Sequence, residues 1–239
     1  DTTPPTVTGI SSTNANGFYK TGSVIDISIT FSEVANVVTA AGIPTLLLET
    51  GATDRTAAYL SGSGTSTLIF RYTVQAGDLS VDLDEQSASA LATNGGTIKD
   101  IAGNNATLTV PAPGASGSLG VNKLLVVDTV APNTPTALSA IGVGGTARAS
   151  TLNSTNTDLS ATATITAGQA TGGSAQLLLG TTVIATDSTI SSSDTSVTFT
   201  LATADAAALQ SAIASSGSLT VRLLDEAGNA STASAAVTL

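Results

Sequence analysis

The chain has 239 residues, of which 41% are hydrophobic, a formal net charge of −10, and no cysteine, histidine or tryptophan. These counts exclude disulfide bonds, thiolate and imidazole metal sites, cysteine nucleophiles and Ser-His-Asp triads. The acidic balance argues against nucleic-acid binding, which needs a basic face for the phosphates, and no apolar run is long enough to span a membrane.

The first half of the chain carries clear strand signals with a period of two residues. VIDISITF (24–31) and TLIFRYTV (67–74) each direct large apolar residues to one face, namely Ile25, Ile27, Ile29 and Phe31, and Leu68, Phe70, Tyr72 and Val74. Shorter strands are predicted at PTLLLET (44–50), TAAYLSG (56–62), GTIKD (96–100), NATLTV (105–110) and VNKLLVVD (121–128). Between the last two, PAPGASGSLG (111–120) has no periodicity and is predicted to be a loop.

The second half is shorter, with predicted strands at LSATATIT (159–166), AQLLLGTTVIA (175–185), SVTFTL (196–201), LTVRLLD (219–225) and ASAAVTL (233–239). Before its last strands, TADAAALQSAIASSG (203–217) has helical spacing, with Thr203 as a candidate N-cap and Gly217 as a candidate stop. In the first half DEQSASALATNGG (84–96) occupies the corresponding place and is a candidate for a shorter helical turn.

Two phrases recur at nearly the same offset. DIAGN (100–104) returns as DEAGN (225–229), and DTTPP at the start of the chain returns as DTVAP from Asp128. The two halves also share their order of elements: strand, helical crossover, glycine turn, strand and D-x-A-G-N. The sequence therefore predicts an all-β fold of two tandem antiparallel β-sandwich domains, residues 1–127 and 128–239, each with a short helical crossover.

The repeated phrase has two interpretations. Asp and Asn cap turns and glycine supplies positive φ, so D-x-A-G-N is first of all a well-formed hairpin turn. In a Greek-key sandwich, however, this turn lies at the same end as the N-terminus, which brings Asp100 and Asn104 near Asp1, and Asp225 and Asn229 near Asp128. A further pair, Asp82 and Asp84, is predicted on one face at the opposite end of the first domain, towards the second.

Such carboxylates repel one another unless a cation lies between them. Calcium is the expected ion, because it accepts six to eight oxygen ligands in loose geometry, whereas magnesium requires a strict octahedron. The alternative is that these are ordinary solvated surface acids.

Several segments of the first domain resemble the bacterial immunoglobulin-like repeats of giant cell-surface adhesins, which are RTX-type proteins often exported by type I secretion. The resemblance rests on FSE (31–33), YLSGSGTSTLIFRYTVQAGD (59–78), GGTIKDIAGN (95–104), PAPGASGSLG (111–120) and VDTVAP (127–132). It implies immunoglobulin-like or cadherin-like domains in an extended rod on the bacterial surface. It also implies calcium at the joints and a role as a spacer in cell adhesion or biofilm formation. The chain is accordingly expected to be a segment of a longer extracellular protein.

The resemblance implies two ligand sets. At one end of the first domain they are Asp1, Glu33, Asp100 and Asn104, and at the domain junction Asp128, Asp225 and Asn229. Geometry alone adds Asp82 and Asp84 to the junction. The second domain has no clear counterpart of FSE, so it lacks an equivalent of Glu33.

Three functions remain open. The first is a non-catalytic structural segment that is monomeric and whose partners are neighbouring repeats of the same chain. The second is a module that binds a carbohydrate or another surface ligand, although aromatic residues are scarce. The third is a glycosidase using Asp82 and Asp84, although nothing near them supplies aromatic subsites.

Overall fold

The computed structural model describes residues 1–146, 156–202 and 218–238, and almost all of the regular secondary structure in them is β-strand. Contacts divide the chain into two compact units, Asp1–Thr129 (unit 1) and Val130–Leu239 (unit 2). Each unit is a sandwich of mainly antiparallel sheets, as the alternating strands predicted. The domain ranges 1–127 and 128–239 stay a prediction.

Unit 1 contains ten strands and one short helix. In chain order they are β1 (Val7–Ser12), β2 (Gly17–Tyr19), β3 (Val24–Val38), β4 (Thr45–Leu48), β5 (Arg55–Ser61), β6 (Thr65–Thr73), β7 (Leu79–Ser80), β8 (Leu91–Ala92), β9 (Thr97–Lys99), α1 (Leu119–Asn122) and β10 (Leu125–Asp128). One sheet has the order β1-β3-β6-β5-β4-β8, with β9 paired to the far half of β3, and a second sheet has the order β2-β10-β7. The long strand β3 therefore has three partners.

The core of unit 1 is mostly aliphatic, with Phe31, Phe70 and Tyr72 among its members, and follows the predicted alternation. The period-2 pattern places four side chains inward on β3 and four on β6 and the residue after it. All eight are at most 3% exposed, namely Ile25, Ile27, Ile29, Phe31, Leu68, Phe70, Tyr72 and Val74. From the second sheet, Leu125 and Val127 of β10 join the same core. Burying side chains of this kind contributes roughly 1.5–3 kcal/mol each, so this double row explains how a unit with few aromatic residues holds together.

One strand pair of unit 1 departs from the expected antiparallel pattern. The last strand, β10, runs parallel to β2, with Leu125 opposite Gly17 and Val127 opposite Tyr19. On its other side β10 is antiparallel to β7, with Asp128 opposite Leu79. The sequence analysis did not predict β2 or β7, and it could not predict the parallel pair, because local alternation does not show which distant strands pair.

Unit 2 has seven described strands in two sheets. They are β11 (Thr136–Val143), β12 (Asp158–Thr164), β13 (Ser174–Leu179), β14 (Thr182–Asp187), β15 (Ser196–Ala202), β16 (Ser218–Leu224) and β17 (Val237–Thr238). The sheet orders are β11-β12-β15 and β14-β13-β16-β17. Apolar residues of β12 and β15 pack with those of β13 and β16 in the core, among them Leu159, Phe199, Leu177 and Val221.

Several local predictions differ from the structure. The segment 175–185, predicted as one strand, forms the antiparallel pair of β13 and β14, and of residues 233–238 only Val237–Thr238 is strand. Residues 84–96 contain turns and β8 where a helical turn was a candidate, and the helix of unit 1 is α1, within and just after the segment predicted to be a loop. Residues 105–110 form only isolated bridges, such as Thr6 to Thr107, and no strand. The helix predicted at 203–217 lies outside the described residues.

Candidate metal centre

The phrase DIAGN folds as a closed turn directly after β9. The N–H of Asp100 donates to the carbonyl of Asn104 at 3.1 Å. In return the Asp100 carboxylate accepts from the Asn104 N–H at 2.8 Å and from its Nδ2 at 2.6 Å. Gly103 has φ of 98°, a conformation that a side chain would strain. The order acid, glycine, amide is therefore what this turn requires.

The phrase DEAGN forms the same turn in unit 2. The N–H of Asp225 donates to the carbonyl of Asn229 at 3.2 Å. The Asp225 carboxylate accepts from the Asn229 N–H at 2.8 Å and from its Nδ2 at 2.9 Å. Gly228 again has a positive φ, of 81°. The first interpretation of the repeat, a well-formed hairpin turn, thus accounts for both copies.

Unit 1 adds two carboxylates to its copy of the turn. One carboxylate oxygen from each of Asp1, Glu33 and Asp100 lies within 4.8 Å of the other two. Asp100 is buried, Glu33 half-buried and Asp1 exposed, so the group opens to solvent at one side. Within the described part of either unit, no other such group of three carboxylates is present. The structure therefore brings together three of the residues that the sequence predicts as ligands.

The long strand β3 explains why these three acids meet. Its near half pairs with β1, and the N–H of Ser32 reaches the carbonyl of Thr6 at 2.8 Å. Its far half pairs with β9, with Asn36 opposite Lys99. Glu33 lies between these two pairings, so the segment before β1 and the turn after β9 both arrive beside it.

The hydrogen bonds of the turn favour the ionised form of Asp100. Burial by itself would raise the pKa of Asp100, but hydrogen bonds from the Asn104 side chain and N–H and from the N–H groups of Gly103 and Ala102 bring that pKa below its ordinary value. Neither Lys nor Arg pairs with any of the three carboxylates in the part of the chain that the structure describes. Carboxylates 4 Å apart repel by about 1 kcal/mol per pair in water and about 4 kcal/mol at an effective dielectric of 20.

The donor set fits a hard cation. Calcium binds oxygens at about 2.3–2.6 Å, so two ligands on opposite sides of the ion lie about 5 Å apart, close to the 4.8 Å limit of this group. The amide of Asn104 is oriented with its nitrogen towards the acids, because Nδ2 also donates to the Asp1 carbonyl at 3.2 Å. In this orientation Asn104 supports the acids, and its role as a direct ligand stays a prediction.

Asp82 and Asp84 lie together elsewhere in unit 1, beside α1. A Cβ on Gly120 would meet the Asp84 carboxylate at 2.9 Å and that of Asp82 at 3.4 Å, so both acids face this glycine. Burial, and then the charge of Asp84, raises the pKa of Asp82. The Asp84 carboxylate accepts three backbone hydrogen bonds, from Gly120 at 3.0 Å, Gly114 at 2.9 Å and Glu85 at 3.1 Å. Their role at a junction stays a prediction.

The sequence analysis missed Glu85, the most deeply buried acid of this region at 0% exposure. Its Oε2 accepts from the N–H of Leu119 at 3.0 Å, whereas its Oε1 has no donor. Burial, together with a hydrogen bond to the Asp84 carboxyl, raises its pKa to about 8. The two neighbouring acids hold the 111–120 segment through its N–H groups, those of Gly114, Leu119 and Gly120. The run DLDE offered a signal, because Leu83 and Glu85 share the inward face.

The remaining predicted ligands belong to different units. Asp128 ends β10 in unit 1, whereas Asp225 and Asn229 form the turn in unit 2, so the junction site stays a prediction.

The first residues of each unit are held by a backbone-to-side-chain hydrogen bond. At the start of unit 2, the N–H of Asn133 donates to Oε1 of Gln169 at 2.6 Å. In unit 1 the N–H of Thr6 similarly donates to Oγ of Ser32 at 3.1 Å, beside Glu33.

No protein-family model matches the chain, and no curated protein is similar to it. Among the described residues, no helix has the length and apolar character needed to cross a membrane. The site's own geometry is therefore the basis for a functional proposal.

Proposed function

We propose that the chain is a non-catalytic structural segment of an extracellular bacterial adhesin, and that unit 1 binds calcium through Asp1, Glu33 and Asp100. The observation that carries the proposal is the meeting of three carboxylates, without a basic partner, where the chain enters unit 1. The ion would tie the first residues of the chain to β3 and to the turn after β9. A spacer benefits from such a tie, because an anchored start limits how freely a module swings.

The composition of the core and the contacts of the buried acids also support the spacer role. The core is mostly aliphatic, and the buried acidic groups of unit 1 are engaged in holding loops and turns. The chain's partners would be neighbouring modules of the same protein, with adhesion to a surface or glycan performed elsewhere. The resemblance to adhesin repeats supports the location on the bacterial surface, where calcium is abundant enough for sites of about 10⁻⁴–10⁻³ M affinity.

The test is thermal unfolding with calcium chloride or EGTA. At 100 times its dissociation constant, a bound ion stabilises the folded state by about 2.7 kcal/mol, which corresponds to several degrees for a domain of this size. We expect Glu33→Gln to abolish the shift, because it removes one charge from the cluster without changing the shape of the side chain.

The matched control is Glu49→Gln, which changes an exposed acid of unit 1 outside the cluster. It should keep the full calcium-dependent shift. The absence of any shift in the unaltered chain, or an equal shift in Glu33→Gln, would contradict the proposal.

A further inference from the structure

Tension applied to the two ends of unit 1 acts on a specific strand pair. In a parallel pair, the N-terminal end of one strand and the C-terminal end of the other lie at opposite ends of the ladder. The strands β2 and β10 are parallel and lie near the start and the end of unit 1. Pulling those ends apart therefore loads all hydrogen bonds of the pair at once, in shear, whereas a pair pulled from one end opens bond by bond.

The last strand is held on both sides. Towards β2, the N–H of Gly17 donates to the Leu124 carbonyl at 3.0 Å, and the N–H of Leu124 donates to Oδ1 of Asn16 at 3.2 Å. Towards the other edge, the N–H of Leu83 donates to the Leu125 carbonyl at 2.9 Å, and β7 adds a second ladder. Sliding β10 out of unit 1 would break these bonds together and would expose the buried Leu125 and Val127 side chains.

The hydroxyl group of Thr129 binds the C-terminal end of unit 1 to a neighbouring turn. Thr129 Oγ1 donates to the carbonyl of Asp78 at 2.9 Å and accepts from the N–H of Gly77 at 3.1 Å. The turn that it binds is itself anchored, because the buried Asp78 carboxylate accepts from the Tyr72 hydroxyl at 2.6 Å and from Nε of Arg55 at 2.8 Å. The last residue of unit 1 is thus tied to a buried ionic group of the core.

From this arrangement we infer that unit 1 is a load-bearing module whose mechanical clamp is the parallel β2–β10 pair, locked at its exit by Thr129. The inference deepens the proposed spacer function and rests on it, since a spacer between a cell and a surface carries tension. The first strand, β1, is antiparallel to β3 and takes the load first. If β1 peels away, the tension passes to β2 and therefore to the clamp.

Single-molecule pulling of the full chain tests the clamp. Unit 1 would release about 45 nm of chain and the shorter unit 2 about 38 nm, at about 3.5 Å per residue, so their unfolding events can be told apart. Forced unfolding reports the unfolding rate under load. Because the chain has no cysteine, an introduced cysteine gives a unique second attachment point.

The pulling direction is the first comparison. With handles at the two chain ends, the β2–β10 pair is sheared. With the N-terminal handle kept and the other moved to Val121→Cys, an exposed position just before β10, both strands are pulled from the same end and the pair peels. We expect a clearly lower force for the main unfolding step of unit 1 in the second geometry. Equal forces in the two geometries would overturn the inference.

The exit lock is the second comparison. Thr129→Val removes both hydroxyl contacts and should make unit 1 unfold about tenfold faster under load, as expected for the loss of two hydrogen bonds. Thr65→Val is the matched control, because that hydroxyl donates to the Gly62 carbonyl at 2.8 Å and accepts from the Thr67 N–H at 3.1 Å, away from the terminal strands. Thr129→Ser should behave as the unaltered chain. An equal acceleration by Thr65→Val would contradict the lock.

Both comparisons are made in EGTA and repeated in calcium chloride. A dependence on pulling direction that persists in EGTA supports the clamp whatever calcium does. A missing calcium effect on thermal unfolding would instead count against the proposed cation site alone.

Discussion

At the scale of single residues, unit 1 depends on acids that are not at the candidate metal centre. Glu85 is fully buried, and burial raises its pKa, whereas the neighbouring Asp84 carboxylate accepts hydrogen bonds from backbone N–H groups. The pair binds the loop before α1 through Gly114, Leu119 and Gly120. A buried acid with a raised pKa makes the free energy of unfolding depend on pH.

The expected direction follows from the pKa of Glu85, which is about 8 in the folded protein against an ordinary value of 4.5. Its stabilising contribution is fully present below the ordinary value and is lost as pH rises towards 8. The slope reaches about 1.4 kcal/mol per pH unit. Glu85→Gln imitates the protonated acid, because its amide has nearly the same shape and is uncharged at every pH. Urea unfolding in EGTA should therefore show a smaller fall in stability between pH 5 and 9 for this variant.

Glu49→Gln serves as the control for this experiment as well, since Glu49 is exposed and its side chain binds only a local N–H, that of Gly51, at 3.2 Å. Its pH profile should follow that of the unaltered chain. A profile for Glu85→Gln that is identical to the unaltered one would show that Glu85 loses its proton at an ordinary pH.

Tyr72 gives a second prediction at this scale. Burial by itself would raise the pKa of Asp78, but hydrogen bonds from the Tyr72 hydroxyl, Arg55 and the Gln75 N–H bring it below its ordinary value. Tyr72→Phe leaves this buried carboxylate with one donor fewer and should cost roughly 1.5–3 kcal/mol. Tyr59→Phe removes a hydroxyl that accepts from the Ser63 N–H at 2.9 Å near the surface. Equal losses in urea unfolding would contradict the special role of the buried pair.

At the scale of elements, the two central strands of unit 1 could be predicted from the sequence, whereas β1 and β11 were not predicted. Alternation over eight residues placed both central strands and the inward faces of β3 and β6 correctly, because one face of each strand must be buried. The continuation of β3 to Val38 could not be predicted. The regular pairing of β3 with β6 is interrupted after Thr30, and the C-terminal part of β3 pairs with β9. That continuation is what brings Glu33 to the candidate metal centre.

The same reasoning explains which site residues were predictable. Asp100 and Asn104 were identifiable because a turn with positive φ requires a particular phrase. Glu85 was missed: the alternation in DLDE puts it on the inward face with Leu83, but the N–H that binds its carboxyl comes from Leu119, 34 residues further along the chain. The parallel β2–β10 pair was unpredictable for a similar reason, since long-range pairing decides it and local propensity does not.

Two loops of unit 1 pack backbone against backbone at Gly42. A Cβ at this position would lie 1.7 Å from the Asn94 carbonyl oxygen, whereas a Cβ at Gly9 would be 3.6 Å from the nearest atom. Gly42→Ala should therefore destabilise unit 1 by about 3 kcal/mol, with Gly9→Ala nearly neutral. Urea midpoints measure both, and a tolerated Gly42→Ala would show that the two loops separate easily.

At the scale of the whole molecule, the tyrosines offer a probe of one unit. The chain has three, Tyr19, Tyr59 and Tyr72, and no tryptophan, so tyrosine fluorescence reports on unit 1 alone. If calcium binds only at Asp1, Glu33 and Asp100, it should raise the midpoint of the transition seen by tyrosine. A second transition, seen only by backbone circular dichroism, should not move. A calcium shift confined to that second transition would place the ion elsewhere.

The pairing of β3 with both β1 and β9 has a consequence for how unit 1 reaches its folded state. The three acids come from residues 1, 33 and 100, so the cluster exists only after both distant segments have docked on one central strand. Closures over such sequence separations are slow steps in folding. If the cluster binds calcium as proposed, binding of the ion would follow the docking of both segments and would mark the completion of folding.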